Sequence, residues 1–271
     1  ALEKRGGGEL VERTILHVLV TSLVGALLPY ARDAVLAAEA FSESASSQGA
    51  ALSGTMRLGI IPTSAPYLAP VLIDGLREAL PQMDLDLREM VTGDNLDQLA
   101  QGRLDAAIIA LEDDLQRTTA IPMFDERLVV LTAAGHPWAG RTDVSPAELD
   151  DQPLLLLDEG NCLRDQTLAL CQRYGSQPPV AVATTLSTVT RMVAHGSGVT
   201  IIPEGALQLL TPSSEYGIAR FGDESPMRRM GLVHRVSSSR GADFAQLAEL
   251  ISRLVKEADL PVTPVVAPAA A

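Results

Sequence analysis

Strand-like and helix-like segments alternate along most of this chain, and this order constrains the fold more than any other feature. Short apolar runs predict strands, and segments with apolar residues every three or four positions predict helices. The first set is MRLGIIP, YLAPVLIDGLREAL, LDLREMV, NLDQLAQG and LDAAIIAL, and the second contains ERLVVLTAA, LLLLD, VAVATT, TVTRMVAHG and VTIIP. After these come a strand, MGLVHRV, and a helix, FAQLAELISRLVKEA. The alternation predicts an α/β fold with a mostly parallel sheet.

Composition divides the chain into six predicted segments. In chain order these are a basic segment (1–22), a long amphipathic helix with its linker (23–50), a first α/β subdomain (51–125), a second one inserted into it (126–229), a return to the first (230–260) and a disordered tail (261–271). The helical segment is rich in alanine and carries an apolar stripe that needs a partner to cover it. We therefore expect it to hold two copies of the chain together.

Charge and residue counts exclude several classes of function. The formal net charge of −13 argues against strong coating of nucleic acid. Two cysteines do not make a disulfide framework, so we expect a cytoplasmic protein with reduced thiols. No apolar run reaches the ~18 residues of a membrane span, and we expect neither a signal peptide nor a membrane partner. The four histidines are scattered at His17, His136, His195 and His234, so we expect no metal site and no cofactor.

Both cysteines lie in one predicted helix. Cys162 and Cys171 are nine positions apart (171 − 162 = 9), and a rise of ~1.5 Å per residue separates their Cα atoms by roughly 13 Å. A disulfide tolerates at most ~7 Å, so joining them requires the helix to unwind. Two unrelated core cysteines are the plain alternative, because free cysteine is often buried. The polar surroundings in DEGNCLRDQ argue against a core position for Cys162.

Several stretches resemble the LysR-type transcriptional regulators. They are RLGIIPTSAPYLAP, GRLDAAIIAL, PMFDERLVVLTAAGHPWAG and VAHGSGVTIIPE, while DEGNCLRDQTLALC resembles the peroxide-sensing members in particular. The resemblance covers nearly the whole chain. It implies two Rossmann-like subdomains of the periplasmic-binding-protein type, preceded by a dimerising linker helix and a remnant of a winged helix-turn-helix. Because only the end of that DNA-reading head is recognisable, we expect poor DNA affinity from these residues.

The resemblance implies a thiol–disulfide switch. Hydrogen peroxide would oxidise Cys162 to a sulfenic acid, and Cys171 would resolve it. Cys162 precedes a helix, whose dipole favours a thiolate, and Arg164 adds positive charge. Asp165 opposes this effect unless it binds Arg164 or a backbone amide. Asn161 stands where some relatives carry a histidine, so a mechanism that needs an imidazole at this position is not expected.

Two threonines complete the expected peroxide site. Thr63 and Thr92 end the first two strands, where open parallel sheets bind ligands. A hydroxyl donates and accepts hydrogen bonds, which suits a small HO–OH molecule. Ordinary helix N-caps are the alternative for both residues. The complete predicted peroxide-binding set is Thr63, Thr92, Asn161, Arg164 and Asp165.

The resemblance also implies partners and leaves two other functions open. The expected partners are hydrogen peroxide, promoter DNA, RNA polymerase, a cellular dithiol reductant and further copies of the chain in a dimer or tetramer. The expected role is regulation of oxidative-stress genes, without enzymatic turnover. The alternatives are a LysR-type regulator that binds a small organic effector between its subdomains, with incidental cysteines, and a thiol peroxidase.

Overall fold

The computed structural model describes residues 3, 9–13, 18–46, 52–111, 115, 117–175, 180–222 and 225–265. It separates into two units, Ala1–Ala51 and Leu52–Ala271. Within the described ranges, no helix is both long and apolar enough to cross a membrane.

The first unit contains a hairpin and a long helix. Strands β1 (Val11–Arg13) and β2 (Val18–Val20) pair antiparallel, and helix α1 spans Ser22–Ser46. The helix bounds agree with the predicted amphipathic helix, while residues 47–50 of the predicted segment lie outside the described residues. Four apolar side chains of α1 are exposed, namely Leu27, Leu28, Tyr30 and Val35. A helix with apolar side chains in solvent supports the expectation that a second surface covers it.

The second unit begins with three parallel strands joined by helices. The elements are β3 (Gly54–Ile60), α2 (Ala65–Ala79), β4 (Met83–Glu89), α3 (Thr92–Ala100) and β5 (Ala106–Ala110). Strand β3 pairs in parallel with both β4 and β5. Every residue of β5 is buried, as expected for a strand covered on both faces. This part of the fold is the one that the alternating pattern predicts.

The rest of the main sheet is antiparallel, and the prediction of a mostly parallel sheet is wrong. A sixteen-residue strand, β6 (Thr118–Ala133), pairs antiparallel with four others: β9 (Thr200–Pro203), β10 (Tyr216–Ala219), β11 (Met227–Arg235) and β12 (Val262–Pro264). Strand β11 also pairs antiparallel with β5. An apolar run shows that a strand exists but does not show its direction, so the pattern missed these pairings.

The cysteine-containing part lies between β6 and β11 in the sequence. It contains β7 (Leu154–Leu157), α4 (Cys162–Arg173), β8 (Val180–Ala183) and α5 (Leu186–Ala194), and β7 pairs in parallel with β8. Short 3-10 helices cover Pro146–Asp151, Glu204–Leu209 and Ser213–Glu215. The predicted helix between the two cysteines is therefore present.

The C-terminal part returns to the first strands of this unit. Helix α6 (Gly241–Glu257) packs against α2 so closely that a Cβ atom at Gly75 would lie 2.5 Å from Leu254 Cδ2. This packing agrees with a return to the first subdomain, whose exact boundaries stay a prediction. The tail was expected to be disordered from residue 261, but Val262–Pro264 form β12 and the Val265 amide donates to the Met123 carbonyl at 3.0 Å. Residues 266–271 lie outside the described ranges.

Candidate functional site

The candidate site is built around the first turn of α4. Strand β7 ends at Leu157, a short loop follows, and the helix begins at Cys162. Asn161 is the N-cap residue, yet its side chain makes no capping bond. Its amide nitrogen instead donates to the Asp158 carbonyl at 3.0 Å. The N–H groups of the first helical turn and the helix dipole consequently favour negative charge at the position of the Cys162 sulfur.

Both thiols are buried and they are not bonded to each other. Cys162 is 4% exposed and Cys171 is 2% exposed. Because both lie in one continuous helix, their Cα atoms are separated by roughly 13 Å. The argument that a polar segment keeps Cys162 out of the interior is therefore wrong. The polar residues around it go to the surface or to specific partners, while the thiol itself points inward.

A buried ion pair lies close to Cys162. Arg228 in β11 and Glu126 in β6 are direct cross-strand partners. The guanidinium Nε donates to Glu126 Oε2 at 3.0 Å, and the two side chains are 1% and 0% exposed. Buried charges are tolerated where they are paired and hydrogen-bonded. This pair therefore needs the further partners that the surrounding residues supply.

The loop and helix after β3 supply those partners. Arg228 Nη1 donates to Thr63 Oγ1 at 2.8 Å, and Nη2 donates to Ser64 Oγ and to the Tyr67 hydroxyl, both at 3.0 Å. The Tyr67 hydroxyl in turn donates to Glu126 Oε1 at 2.7 Å. Burial raises the pKa of Tyr67 above its ordinary value, so the phenol keeps the proton that it donates. We call these five residues (Thr63, Ser64, Tyr67, Glu126 and Arg228) the arginine cluster.

The arginine cluster acts on Cys162 through charge. Burial works to lower the pKa of Arg228, but the negative charge of Glu126, together with the interactions with Tyr67 and Cys162, outweighs it and raises that pKa overall. An electrostatic interaction is mutual, so the guanidinium favours the thiolate form of Cys162. Peroxide reacts with a thiolate rather than a thiol. The arrangement therefore provides a buried cysteine with two sources of positive potential, the helix N-terminus and Arg228.

Cys171 lies in a different environment. Burial raises the pKa of its thiol above the ordinary value, and the negative charge of Asp150, in the 3-10 helix beside α4, raises it further. A raised thiol pKa means that Cys171 is protonated at neutral pH.

The two predicted threonines take up different positions. Thr63 is buried and bonded to Arg228. Thr92 is the first residue of α3, and its Oγ1 is buried without a hydrogen-bond partner among the described residues. The N-cap alternative is wrong for Thr92, because Val91 caps α3. At the first position the alternative was Thr63 or Ser64, and Ser64 is the N-cap residue of α2, although its side chain makes no capping bond.

A cavity of about 590 Å³ opens beside this site. Thr63 and Asn161 line it, together with the carboxylates of Glu89, Asp158 and Glu159 and the hydroxyls of Thr184, Thr185, Ser187 and Thr190. This volume lies in the range typical of small-molecule sites.

The two charged residues that follow Cys162 are directed elsewhere. Arg164 Nη1 donates to the Leu157 carbonyl at 3.1 Å, and Asp165 is exposed. The positions of these two side chains do not test their predicted contact with peroxide, which stays a prediction. What the structure does show is that Arg164 has a backbone partner at the end of β7.

Sequence reasoning missed Arg228, Glu126, Tyr67 and Gln166. Arg228 follows Cys162 by 66 positions (228 − 162 = 66), and only the pairing of β11 with β6 brings it to the site. Nothing local in the sequence marks it. Gln166 could have been predicted from the sequence, because it lies four positions after Cys162 on the same helix face. Its Oε1 is buried without a hydrogen-bond partner among the described residues.

A family model described as the LysR substrate binding domain matches residues 49–256. The chain belongs to this family. Within it, the relatives point to the OxyR-like hydrogen peroxide-inducible genes activators. A probable hydrogen peroxide-inducible genes activator of Mycobacterium leprae is 41% identical over 257 residues, which cover 94% of this chain and 83% of the relative. The DNA-binding transcriptional dual regulator OxyR of Escherichia coli K12 is 37% identical over 253 residues, or 92% and 82% of the two chains.

Solved structures agree with this assignment. A cysteine-to-serine variant of Corynebacterium glutamicum OxyR with bound H2O2 superposes with a TM-score of 0.74 at 38% identity, over 95% of this chain and 83% of that one. The chain is therefore an OxyR-like LysR-type protein. These relatives are named as regulators or activators of genes and not as enzymes, in agreement with the prediction that this chain is not an enzyme.

Proposed function

We propose that this chain is the sensing part of a cytoplasmic, hydrogen-peroxide-responsive transcription regulator, in which Cys162 is the peroxidatic residue and Cys171 the resolving one. The observation that carries the proposal is the position of Cys162. It begins a helix, it is buried, and the charge of Arg228 acts on it. The bound H2O2 in the similar Corynebacterium glutamicum structure supports the choice of oxidant.

The reaction has two balanced steps. The Cys162 thiolate attacks one oxygen of HO–OH, so that an S–O bond forms, the O–O bond breaks and hydroxide leaves to take up a proton as water. The sulfur is oxidised to a sulfenic acid and the peroxide is reduced. The Cys171 thiol then attacks the Cys162 sulfur, so that an S–S bond forms and the sulfenic oxygen leaves as water. A cellular dithiol reverses the switch.

Peroxide binding uses hydroxyl and amide groups around the thiol. We assign Thr92 and Gln166 to this role because the oxygen of each side chain is buried without a hydrogen-bond partner among the described residues. Thr63 is oriented by Arg228, and Asn161 lies at the cavity wall beside Cys162. Arg164 and Asp165 belong to the same proposal, with Arg164 acting from its position on the Leu157 carbonyl.

The disulfide changes the structure because the helix between the cysteines must open. The bond then holds a conformation that the reduced chain does not adopt. We propose that this change passes to a dimer or tetramer through α1, whose exposed apolar side chains suit a second copy. In that assembly the regulator binds promoter DNA and contacts RNA polymerase.

Mass spectrometry before and after addition of hydrogen peroxide tests the switch. The reduced chain is expected to lose two hydrogen atoms and to show one bond between Cys162 and Cys171. An unchanged mass at a modest excess of peroxide contradicts the proposal. Sustained peroxide consumption with an excess of dithiol at enzymatic rates would indicate a thiol peroxidase instead.

The cavity favours a second candidate function. A volume of about 590 Å³ is far larger than a peroxide molecule, and it suits a LysR-type regulator that binds a small organic effector. A variant in which serine replaces both cysteines separates the two functions. If that variant still responds to an effector in DNA binding or gene activation, the cysteines are incidental.

A further inference from the structure

We propose that Glu126 is a positioning residue that restrains the reactivity of Cys162 through Arg228. Its carboxylate fixes one edge of the guanidinium and offsets part of the positive charge that the thiol experiences. The inference rests on the proposed role of Cys162 as the reactive thiol. It assigns a function to a buried carboxylate that has no contact with the peroxide-binding oxygens Thr92 Oγ1 and Gln166 Oε1 among the described hydrogen bonds.

The geometry makes this carboxylate the fixed counterion of Arg228. Glu126 lies directly opposite Arg228 across β6 and β11, and its side chain is fully buried. One oxygen accepts from Arg228 Nε, and both accept from the Tyr67 hydroxyl at 2.7 and 2.9 Å. Attraction between charges is stronger in the interior than in water, because the effective dielectric constant is lower. The pair therefore presents less positive potential to the sulfur than a lone arginine would.

The guanidinium has enough other partners to stay in place when the carboxylate charge is removed. Thr63 Oγ1 holds Nη1, while Ser64 Oγ and the Tyr67 hydroxyl hold Nη2. In Glu126→Gln the side-chain carbonyl still accepts from Nε and the volume is almost unchanged. The substitution therefore removes a negative charge and leaves the frame around Arg228 intact.

The groups that interact electrostatically with Arg228 come from three elements packed around it. They are Glu126 from β6, Tyr67 from α2 and Cys162 from α4. Tyr67 is neutral at working pH because burial raises its pKa. Glu126 is therefore the group whose charge the substitution removes, and Cys162 is the thiol whose ionisation the experiment measures.

The chain offers a matched control one residue away. Asp125 and Arg229 are also cross-strand partners in β6 and β11, and Arg229 Nε donates to Asp125 Oδ1 at 2.8 Å. Their side chains are 19% and 52% exposed, because neighbouring residues of a strand point to opposite faces. Asp125→Asn therefore removes the same charge from the same two strands but on the other face of the sheet.

The experiment uses chains with Cys171→Ser, so that Cys162 is the reacting thiol. The pH midpoint of Cys162 ionisation is measured by thiolate absorbance, and sulfenic acid formation is measured with hydrogen peroxide across the same pH range. Glu126→Gln is expected to lower the midpoint by about one unit, because a negative charge has left its surroundings. Below the midpoint the thiolate fraction rises about tenfold, and the loss of intrinsic nucleophilicity leaves a rate gain of roughly threefold.

The outcomes separate this inference from the function on which it rests. Asp125→Asn is expected to leave midpoint and rate at the values of the parent chain. An unchanged or raised midpoint in Glu126→Gln overturns the inference while peroxide sensing stands, and a parent chain that does not react with peroxide overturns both. If Glu126→Gln does not fold, Glu126→Asp draws the carboxylate back by one methylene group and is expected to lower the midpoint by a smaller amount. An unchanged or raised midpoint in Glu126→Asp would likewise contradict the inference about Glu126.

Discussion

The two ends of helix α4 place the same side chain in opposite electrostatic environments. At the N-terminal end, Cys162 lies in the first turn of the helix, and the charge of Arg228 acts on it. At the other end, nine residues later, Cys171 is buried beside the negative charge of Asp150. Exposure does not separate them, since both are nearly inaccessible. Under the proposed roles, the charge around a buried thiol, and not its accessibility, distinguishes the attacking cysteine from the resolving one.

Replacing each cysteine in turn by serine tests this comparison, and we expect the largest effect from these two variants. Cys162→Ser is expected to abolish the reaction with peroxide, whereas Cys171→Ser is expected to form a sulfenic acid that persists or is oxidised further. Trapping with a sulfenic-acid reagent followed by mass spectrometry distinguishes the two. Equal loss of reaction in both variants would show that the roles are not divided between the ends of the helix.

Removing Arg228 is expected to make the electrostatic environment of Cys162 resemble that of Cys171 at the other end of α4. Arg228→Met leaves the Glu126 carboxylate buried without its counterion, which costs about 3–5 kcal/mol of folding free energy. It is also expected to slow oxidation of Cys162 by about tenfold at neutral pH, because the thiolate loses a favourable charge. Combining it with Glu126→Gln removes the uncompensated charge.

Chemical denaturation and peroxide kinetics on the single and the double variant check this expectation. The double variant should regain much of the stability, but its rate should rise by no more than the roughly threefold gain that loss of the Glu126 charge gives, so that it stays below the rate of the parent chain. A rate that recovers together with stability would show that Arg228 acts only through folding.

The hydroxyl of Thr92 provides a smaller and more selective test. Thr92→Val keeps the shape of the side chain and removes an oxygen that has no hydrogen-bond partner in the described part of the chain. Stability is therefore expected to be unchanged or slightly higher. Peroxide oxidation of Cys162 is expected to slow by about fivefold, the value of one hydrogen bond of ~1 kcal/mol. Thermal unfolding and single-turnover kinetics measure both, and a loss of stability without a loss of rate contradicts the assignment.

The smallest effect is expected at the C-terminal end of the helix. The pKa of Cys171 is raised by burial and then by Asp150, so its thiol ionises only above the ordinary range of about 8.5. Asp150→Asn removes the second cause and is expected to lower the pH midpoint of Cys171 alkylation by a few tenths of a unit. The measurement uses the Cys162→Ser background, and a midpoint that does not move would leave burial as the sole cause.

The sequence predicted the local elements well and the long-range pairings poorly. The helix between Cys162 and Cys171 and the strand–helix order from residue 54 to 110 follow from periodicity alone. The first half of β6 was missed, since TTAIPMFD contains a proline and no continuous apolar run. Strand β12 was taken for a tail because its three residues gain stability only by pairing with β6.

The site shows the same division. Thr63, Asn161 and Cys162 were predicted from the resemblance to the peroxide-sensing regulators, and each stands at the end of a predicted element. Arg228 and Glu126 were not found, because an arginine and a glutamate in two strands carry no local sign that they are buried together. Their burial results from register, which spacing and composition do not encode.

The side-chain hydrogen bonds that Arg228 makes in the arginine cluster connect positions 102 to 165 residues apart, and this separation has a consequence during synthesis. A ribosome adds about 5–20 residues per second, so the 66 residues from Cys162 to Arg228 take roughly 3–13 s. During that interval the nascent chain already carries Cys162 but lacks the guanidinium that favours its thiolate. Under the proposed function, a half-made chain is therefore a poor target for peroxide, and the thiol is expected to become sensitive only when strand β11 has emerged from the ribosome and paired with β6.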